Sequence, residues 1–159
     1  MPFVLPQQVK LSRASALPLG SLVDCGKKLG LCVVARDGRQ NGILNLTRDK
    51  YVEYFSLDGA DAEKSFPAFS GIAYGVDLHG SPANHPDDWS NKISIGPGGL
   101  DLCVRLPGHG GTYAVRRVSL SDWTLVAGQD FAGLQYYASW TLRAQYVADG
   151  EWQELRSVE

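Results

Sequence analysis

Long hydrophobic runs are missing from this chain of 159 residues. The longest apolar stretch, around residues 29–35, is far too short to span a bilayer, so no membrane association is expected. Basic runs are equally short. No Lys/Arg run exceeds two residues, and no aromatic-rich RNA-binding motif accompanies them, so nucleic acid is not an expected partner. Cysteine is scarce. Cys25, Cys32 and Cys103 make an odd number and form no CxxC, which removes the usual redox motif and the zinc ribbon. Free thiols packed as small hydrophobes in a reducing compartment are the expected state. The spacing of Cys25 and Cys32 also permits a disulfide across a turn at residues 27–29.

Catalytic signatures are absent as well. There is no G-x-S-x-G elbow. Gly96-Pro97-Gly98-Gly99 and Gly108-His109-Gly110-Gly111 are glycine-rich, but neither opens a helix nor ends in the Lys-Ser/Thr of a phosphate loop, so both read as turns. Asp87 and Asp88 are adjacent and therefore poorly placed to flank a scissile glycosidic bond. Cys103 and His109 would pair across a hairpin, but Cys103 sits in an apolar strand, where burial blunts a thiol. No cofactor is called for. The start of the sequence has no basic leader region and is interrupted by Pro2 and Pro6. No secretory signal is read there, and a cytoplasmic location is expected. With no internal repeat, low-complexity segment or linker, residues 1–159 read as one domain, of which 1–19 is an extended, proline-punctuated lead-in.

What the chain does have is turn formers and alternation. Eighteen glycines and eight prolines cluster between apolar runs, as in a protein of short strands and tight turns. The segment LQYYASWTLRAQYV, residues 134–147, alternates strictly. Leu134, Tyr136, Ala138, Trp140, Leu142, Ala144 and Tyr146 share one parity. Gln135, Tyr137, Ser139, Thr141, Arg143, Gln145 and Val147 share the other. A two-residue period predicts a long strand with one buried and one wetted face. Leu134, Tyr136, Trp140 and Leu142 are therefore expected in the core. A four-stranded antiparallel meander is read over residues 20–57, with a type I′ turn at Asp37-Gly38 and a bulge or twist at Asn41-Gly42. Residues 69–78 form a further strand, with Ile72, Tyr74, Val76 and Leu78 on one face. Residues 100–106 set Asp101 and Arg105 opposite Leu102 and Val104. Roughly ten strands and no amphipathic helix make the fold class all-β, an antiparallel β-sandwich or partly closed β-barrel.

Net charge is −2, but it is unevenly spread: residues 1–50 hold eight Lys/Arg against three Asp, and residues 51–159 hold seven against fourteen Asp/Glu. Charges scattered over solvated strand faces account for this.

Three groups of candidate residues emerge. The small face of strand 69–78, Gly71, Ala73 and Gly75, invites close approach by a ring, a backbone or a ligand, and Trp89 could supply an aromatic wall. The wetted parity of 134–147, with Tyr137, Ser139, Thr141 and Arg143, carries few charges and suits an interface. Asp77, His79, His85, Asp87 and His109 are residue types that could bind zinc, manganese or iron, although their spacing matches no metal signature. The reading that follows is a non-catalytic binding or assembly module, with a homo-oligomer or protein partner expected. A small-ligand-binding β-barrel and a metal-dependent enzyme using the loop from His79 to Asp88 are the alternatives.

Overall fold

The alternation resolves into strands that pair as often with distant strands as with their sequence neighbours. The structure, a computed structural model, describes residues 10–46, 50–128, 130–146 and 150–159. Fourteen strands occur among them: β1 (Lys10–Arg13), β2 (Leu22–Asp24), β3 (Leu31–Asp37), β4 (Gln40–Asn45), β5 (Glu53–Ser56), β6 (Ser65–Phe69), β7 (Ala73–His79), β8 (Ala83–Asn84), β9 (Ile93–Gly96), β10 (Gly99–Pro107), β11 (Tyr113–Ser119), β12 (Gln135–Tyr137), β13 (Ser139–Gln145) and β14 (Gln153–Val158). The described α-helix is a single turn, α1 (Gly26–Leu29).

Eleven strands form one sheet in the order β1-β6-β2-β3-β4-β5-β10-β9-β12-β8, with β11 also paired to β10. All its ladders are antiparallel except one parallel bridge, Arg105 to Glu53. The sheet does not close into a barrel. The other three strands form a second sheet, β14-β13-β7.

The meander over 20–57 is present as β2–β5. Its central turn differs from the expected one. Gly38 has φ of 61°, while Arg39 is not left-handed. A glycine alone at the first central position is the pattern of a type II′ turn. Asn41 and Gly42 keep regular register opposite Arg36 and Ala35, so no bulge is needed. Gly42 is there for space: a Cβ would collide with the Tyr54 ring and the Phe55 carbonyl.

The expected long strand at 134–147 is two strands. Chain 135–137 pairs with β9 and β8 in the large sheet, Ala138 is exposed, and chain 139–145 pairs with β7 and β14. Face parity does not survive this change of sheet. Trp140, Leu142 and Ala144 are buried as expected, but Leu134 and Tyr136 are only half-buried. Tyr136 pairs with Ser94 and Tyr137 with Ile93. Directly opposed residues share a face, so Tyr137 lies on the side of Ile93 and Tyr136 on that of Ser94; both partners are fully buried and both tyrosines half-buried, so neither parity is the wetted one here. Residues 147–149, which include Val147 and most of the expected turn before β14, lie outside the described residues, as do 47–49.

The main core lies between the sheets. Leu22, Val33, Leu44, Leu102 and Val104 from the large sheet, with Val52 just before β5, meet Trp140, Leu142, Ala144 and Leu155 from the small one. A second cluster, with Val23, Cys32, Val34 and Ile43, covers the other face of the meander. On β10 the expected split holds. Leu102 and Val104 enter the core, while Asp101 pairs with Arg117 at 3.4 Å and Arg105 with Asp88 at 3.0 Å.

Trp140 locks the two sheets together. Its indole N–H donates to the Asn91 carbonyl at 2.7 Å, and the ring has no solvent exposure. Asn91, at φ 59°, accepts from the Val52 N–H at 2.8 Å and donates to the Lys50 carbonyl at 2.7 Å. Its own N–H donates to the Cys103 carbonyl at 3.0 Å. Arg156 adds a second tie from β14, donating to the Leu46 and Lys50 carbonyls at 2.7 and 2.6 Å. Burying an indole of about 200 Å² at about 25 cal/mol per Å² contributes roughly 5 kcal/mol, against about 1 kcal/mol for its hydrogen bond. Packing therefore dominates. Trp140→Ala should cost about 3–5 kcal/mol in denaturant unfolding. Trp140→Phe, which keeps most of the ring but deprives the Asn91 carbonyl of its donor, should cost about 1–3 kcal/mol. Equal losses for the two variants would contradict this division.

Candidate functional site

Strand β7 alternates small outward residues with large inward ones. Tyr74, Val76 and Leu78 pack on the core. Ala73, Gly75, Asp77 and His79 therefore point away from it. The β7–β13 ladder sets Gln145, Arg143, Thr141 and Ser139 opposite these four in turn. Two groups of residues that the sequence kept separate, a small-residue face and an interface strand, thus form one surface: the outer face of the small sheet.

Its two ends differ in chemistry. At one end His79 Nε2 and Thr141 Oγ1 lie 3.0 Å apart, and Thr141 Oγ1 and Ser157 Oγ lie 2.7 Å apart. This short row spans all three strands and leaves Thr141 only 7% exposed. At the other end a methyl group on Gly75 would sit 3.4 Å from the Trp152 ring. The ring remains 45% exposed. Next to it Arg143 Nε donates to Asp77 Oδ2 at 2.6 Å, with both side chains about half in solvent. Gly75, Val76, Asp77, Arg143 and Trp152 line an open groove of about 420 Å³. An exposed indole beside a carboxylate–guanidinium pair offers an apolar wall, an acceptor and a donor within one groove.

The remaining candidates are dispersed. Gly71, at φ 73°, is in the turn before β7. Trp89 does not serve the glycine face: its ring stacks on Phe131 with centroids 4.8 Å apart and meets Tyr136 edge-on at 5.5 Å. Trp152 fills the place expected of Trp89. A glycine in mid-strand with no bulge was the sequence signal that some ring lies close by, but not which ring. Tyr137 is on β12 and does not join Ser139, Thr141 and Arg143. Of the metal candidates, Asp77 and His79 are on the small sheet, His85 and Asp87 are exposed in the connection after β8, and His109 is in a 3₁₀ turn between β10 and β11. Among the described residues no three His, Cys, Asp or Glu side chains converge as a metal site. The expected result of a chelator titration is an unchanged melting temperature; a fall of several degrees would show a bound metal that these residues help to hold.

A second constellation escaped the sequence reading. The Arg105 guanidinium lies between two tyrosine rings, 3.4 Å from the Tyr51 centroid and 3.7 Å from that of Tyr113. It donates to Ser90 Oγ at 2.8 Å and to Asp88 Oδ2 at 3.0 Å. The Tyr113 hydroxyl donates to the same carboxylate oxygen at 3.2 Å, and the Ser90 N–H to Asp88 Oδ1 at 2.8 Å. This cluster pins the irregular connection 80–92 to β10 and β11. Burial pushes the Asp88 carboxyl up, but hydrogen bonds from Ser90, Arg105 and Tyr113 outweigh it and hold the group at about 2. An unfolded Asp titrates near 3.9. The folded value is the lower one, so this carboxylate stabilises the fold fully above about pH 4 and loses that contribution as the pH falls toward 2. Asp88→Asn should flatten the drop in melting temperature across that window; a drop as steep as in the wild type would show that the cluster does not contribute.

Comparison with protein-family models, with curated proteins and with solved structures returns no significant match. No helix among the described residues is long and apolar enough to cross a membrane.

Proposed function

We propose that this chain is a non-catalytic binding or assembly module and that it makes contact through the outer face of the β7–β13–β14 sheet. The observation that carries this reading is the exposed Trp152 ring beside Gly75, next to the Asp77–Arg143 pair. Large aromatic and arginine side chains are enriched where proteins bury surface against partners. The inward side of the same three strands is fixed to the core through Trp140, so the outward groups are held in place before any contact is made, which lowers the ordering cost of binding. The partner favoured is a second copy. One face bearing both an acid and a base is self-complementary across a two-fold axis, because each Arg143 can meet the other copy's Asp77.

Sedimentation velocity at micromolar concentration tests this. The wild type should sediment as a dimer or higher oligomer, and Arg143→Glu, which sets two carboxylates side by side on this face, should shift it to monomer with unchanged circular dichroism. A wild type that stays monomeric would remove the assembly reading. The groove of about 420 Å³ at Trp152 supports a second reading, a small-molecule ligand on the same face. In that case Trp152→Ala would abolish ligand-induced fluorescence changes and leave the sedimentation profile alone.

A further inference from the structure

Cys25 and Cys32 meet on the opposite side of the large sheet, at the second hydrophobic cluster. Val23 pairs with Cys32 in the β2–β3 ladder, and the Cys25 N–H continues the pairing by donating to the Gly30 carbonyl at 2.9 Å. Residues 23 and 25 share a face, so Cys25 is the diagonal neighbour of Cys32. Both side chains pack in the same cluster, where the Cys32 thiol also reaches the Leu29 and Gly30 carbonyls at 3.9 Å. Their accessibility differs. Cys32 has no exposure, whereas Cys25 is half-buried and lines a pocket of about 270 Å³ with Leu29, Ile43, Phe55, Leu57 and Phe66. One thiol can thus be reached, and a second waits behind it. The neighbouring Cys32 thiol draws the Cys25 thiol below its ordinary range, against burial and the Asp24 carboxylate. Cys103 is the internal contrast: burial pushes its thiol up to about 12. The chain between the pair, α1, is one turn that opens with Gly26 at φ 85° and is followed by Gly30 at φ 69°. Such a turn can adjust by the small movement that bond formation requires.

We propose that Cys25 and Cys32 form a thiol–disulfide exchange site, which accepts a small-molecule disulfide at the pocket and closes to an intramolecular bond. Cys25, as thiolate, attacks one sulfur of the incoming disulfide. A mixed disulfide forms, and the other half leaves as a thiolate, which takes up a proton. Cys32 then gives up its proton and attacks Cys25 Sγ, forming the Cys25–Cys32 bond and expelling the second half as a thiol. Two protein thiols are oxidised and one disulfide is reduced to two thiols. This inference does not depend on the small-sheet face.

The test uses the whole reduced chain with oxidised glutathione as probe, followed by acid quench, alkylation in denaturant and intact-mass and peptide analysis. The expected product has lost two hydrogens, carries no glutathione, retains one alkylatable thiol of the original three at Cys103, and yields a peptide cross-linked between Cys25 and Cys32. Cys32→Ala should trap one glutathione on Cys25, whereas Cys25→Ala should leave Cys32 reacting at least about tenfold more slowly than Cys25 does in the wild type. Three alkylatable thiols after incubation, glutathione retained on wild-type Cys25, or Cys103 reacting as fast as Cys25 would each overturn the proposal. If Cys32→Ala does not fold, the wild-type thiol count and cross-linked peptide decide the matter alone.

Discussion

The fold depends on one buried contact, the Trp140 indole against the Asn91 carbonyl. A three-stranded sheet is a weak unit by itself, because half of its apolar surface needs a partner. Trp140 provides the largest fully buried side chain and directs its single polar atom to a carbonyl that is otherwise enclosed. Asn91 in turn joins β13 to the chain before β5 and to β10. The left-handed backbone that this requires is cheap for Asn, whose short amide tolerates it, and costly for a β-branched residue. Asn91 in this irregular loop, with the Arg156 bonds to the Leu46 and Lys50 carbonyls, thus helps to fix where the small sheet sits on the large one. The Tyr51–Arg105–Tyr113 stack, with Asp88 and Ser90, holds the preceding part of the same loop. Together they explain how a long connection with a two-residue strand keeps a defined course.

Alternation made the fold class legible, and it did so where a strand stays in one sheet. The in–out split of β7 and the division of Leu102 and Val104 from Asp101 and Arg105 follow from a two-residue period, whereas the β2–β5 meander, buried on both faces of β3 and β4, was legible from its turns. The same rule failed at Ala138. Sequence period reports that successive side chains point to opposite faces, but not which sheet a strand belongs to. When the chain passes from β12 to β13 the reference surface changes, and both Tyr136 and Tyr137 end half-buried. Turn chemistry was legible to the level of the dipeptide: Gly38 does take positive φ, but the partner position does not, so the turn is of the other primed type. Gly42 illustrates a different limit. A glycine beside an Asn reads as a bend, yet here it makes room for a tyrosine from the next strand, a long-range demand that local reading does not see.

The candidate surface was legible in pieces. Gly75, Asp77, Thr141 and Arg143 were each singled out, for three unrelated reasons, and only the β7–β13 register shows that they share one face. Trp152 was not among the candidate residues. Its relation to Gly75 depends on strand order, which no local pattern encodes. The metal grouping dissolved for the same reason: residues close in sequence, from Asp77 to Asp87, pass from a sheet face into an exposed connection, and His109 belongs to a different hairpin.

Within the outer face, the two ends differ in how far their polar atoms are already paired. At the His79 end the polar atoms answer one another across three strands, so a partner there would have to break bonds before making them. At the Gly75 end Arg143 Nε is paired with Asp77 Oδ2 and Gln145 Nε2 with the Gly150 carbonyl, while among the described residues nothing else engages the terminal guanidinium nitrogens or Asp77 Oδ1. These groups are solvated and available, and a bidentate guanidinium and a carboxylate exchange water for a matching partner at modest desolvation cost when they stay near the rim. The indole beside them supplies apolar area that water wets poorly. Affinity would come chiefly from the ring and orientation from the charges, so contact at this face should be centred on Trp152, with the His79 row acting as a rigid, already satisfied border.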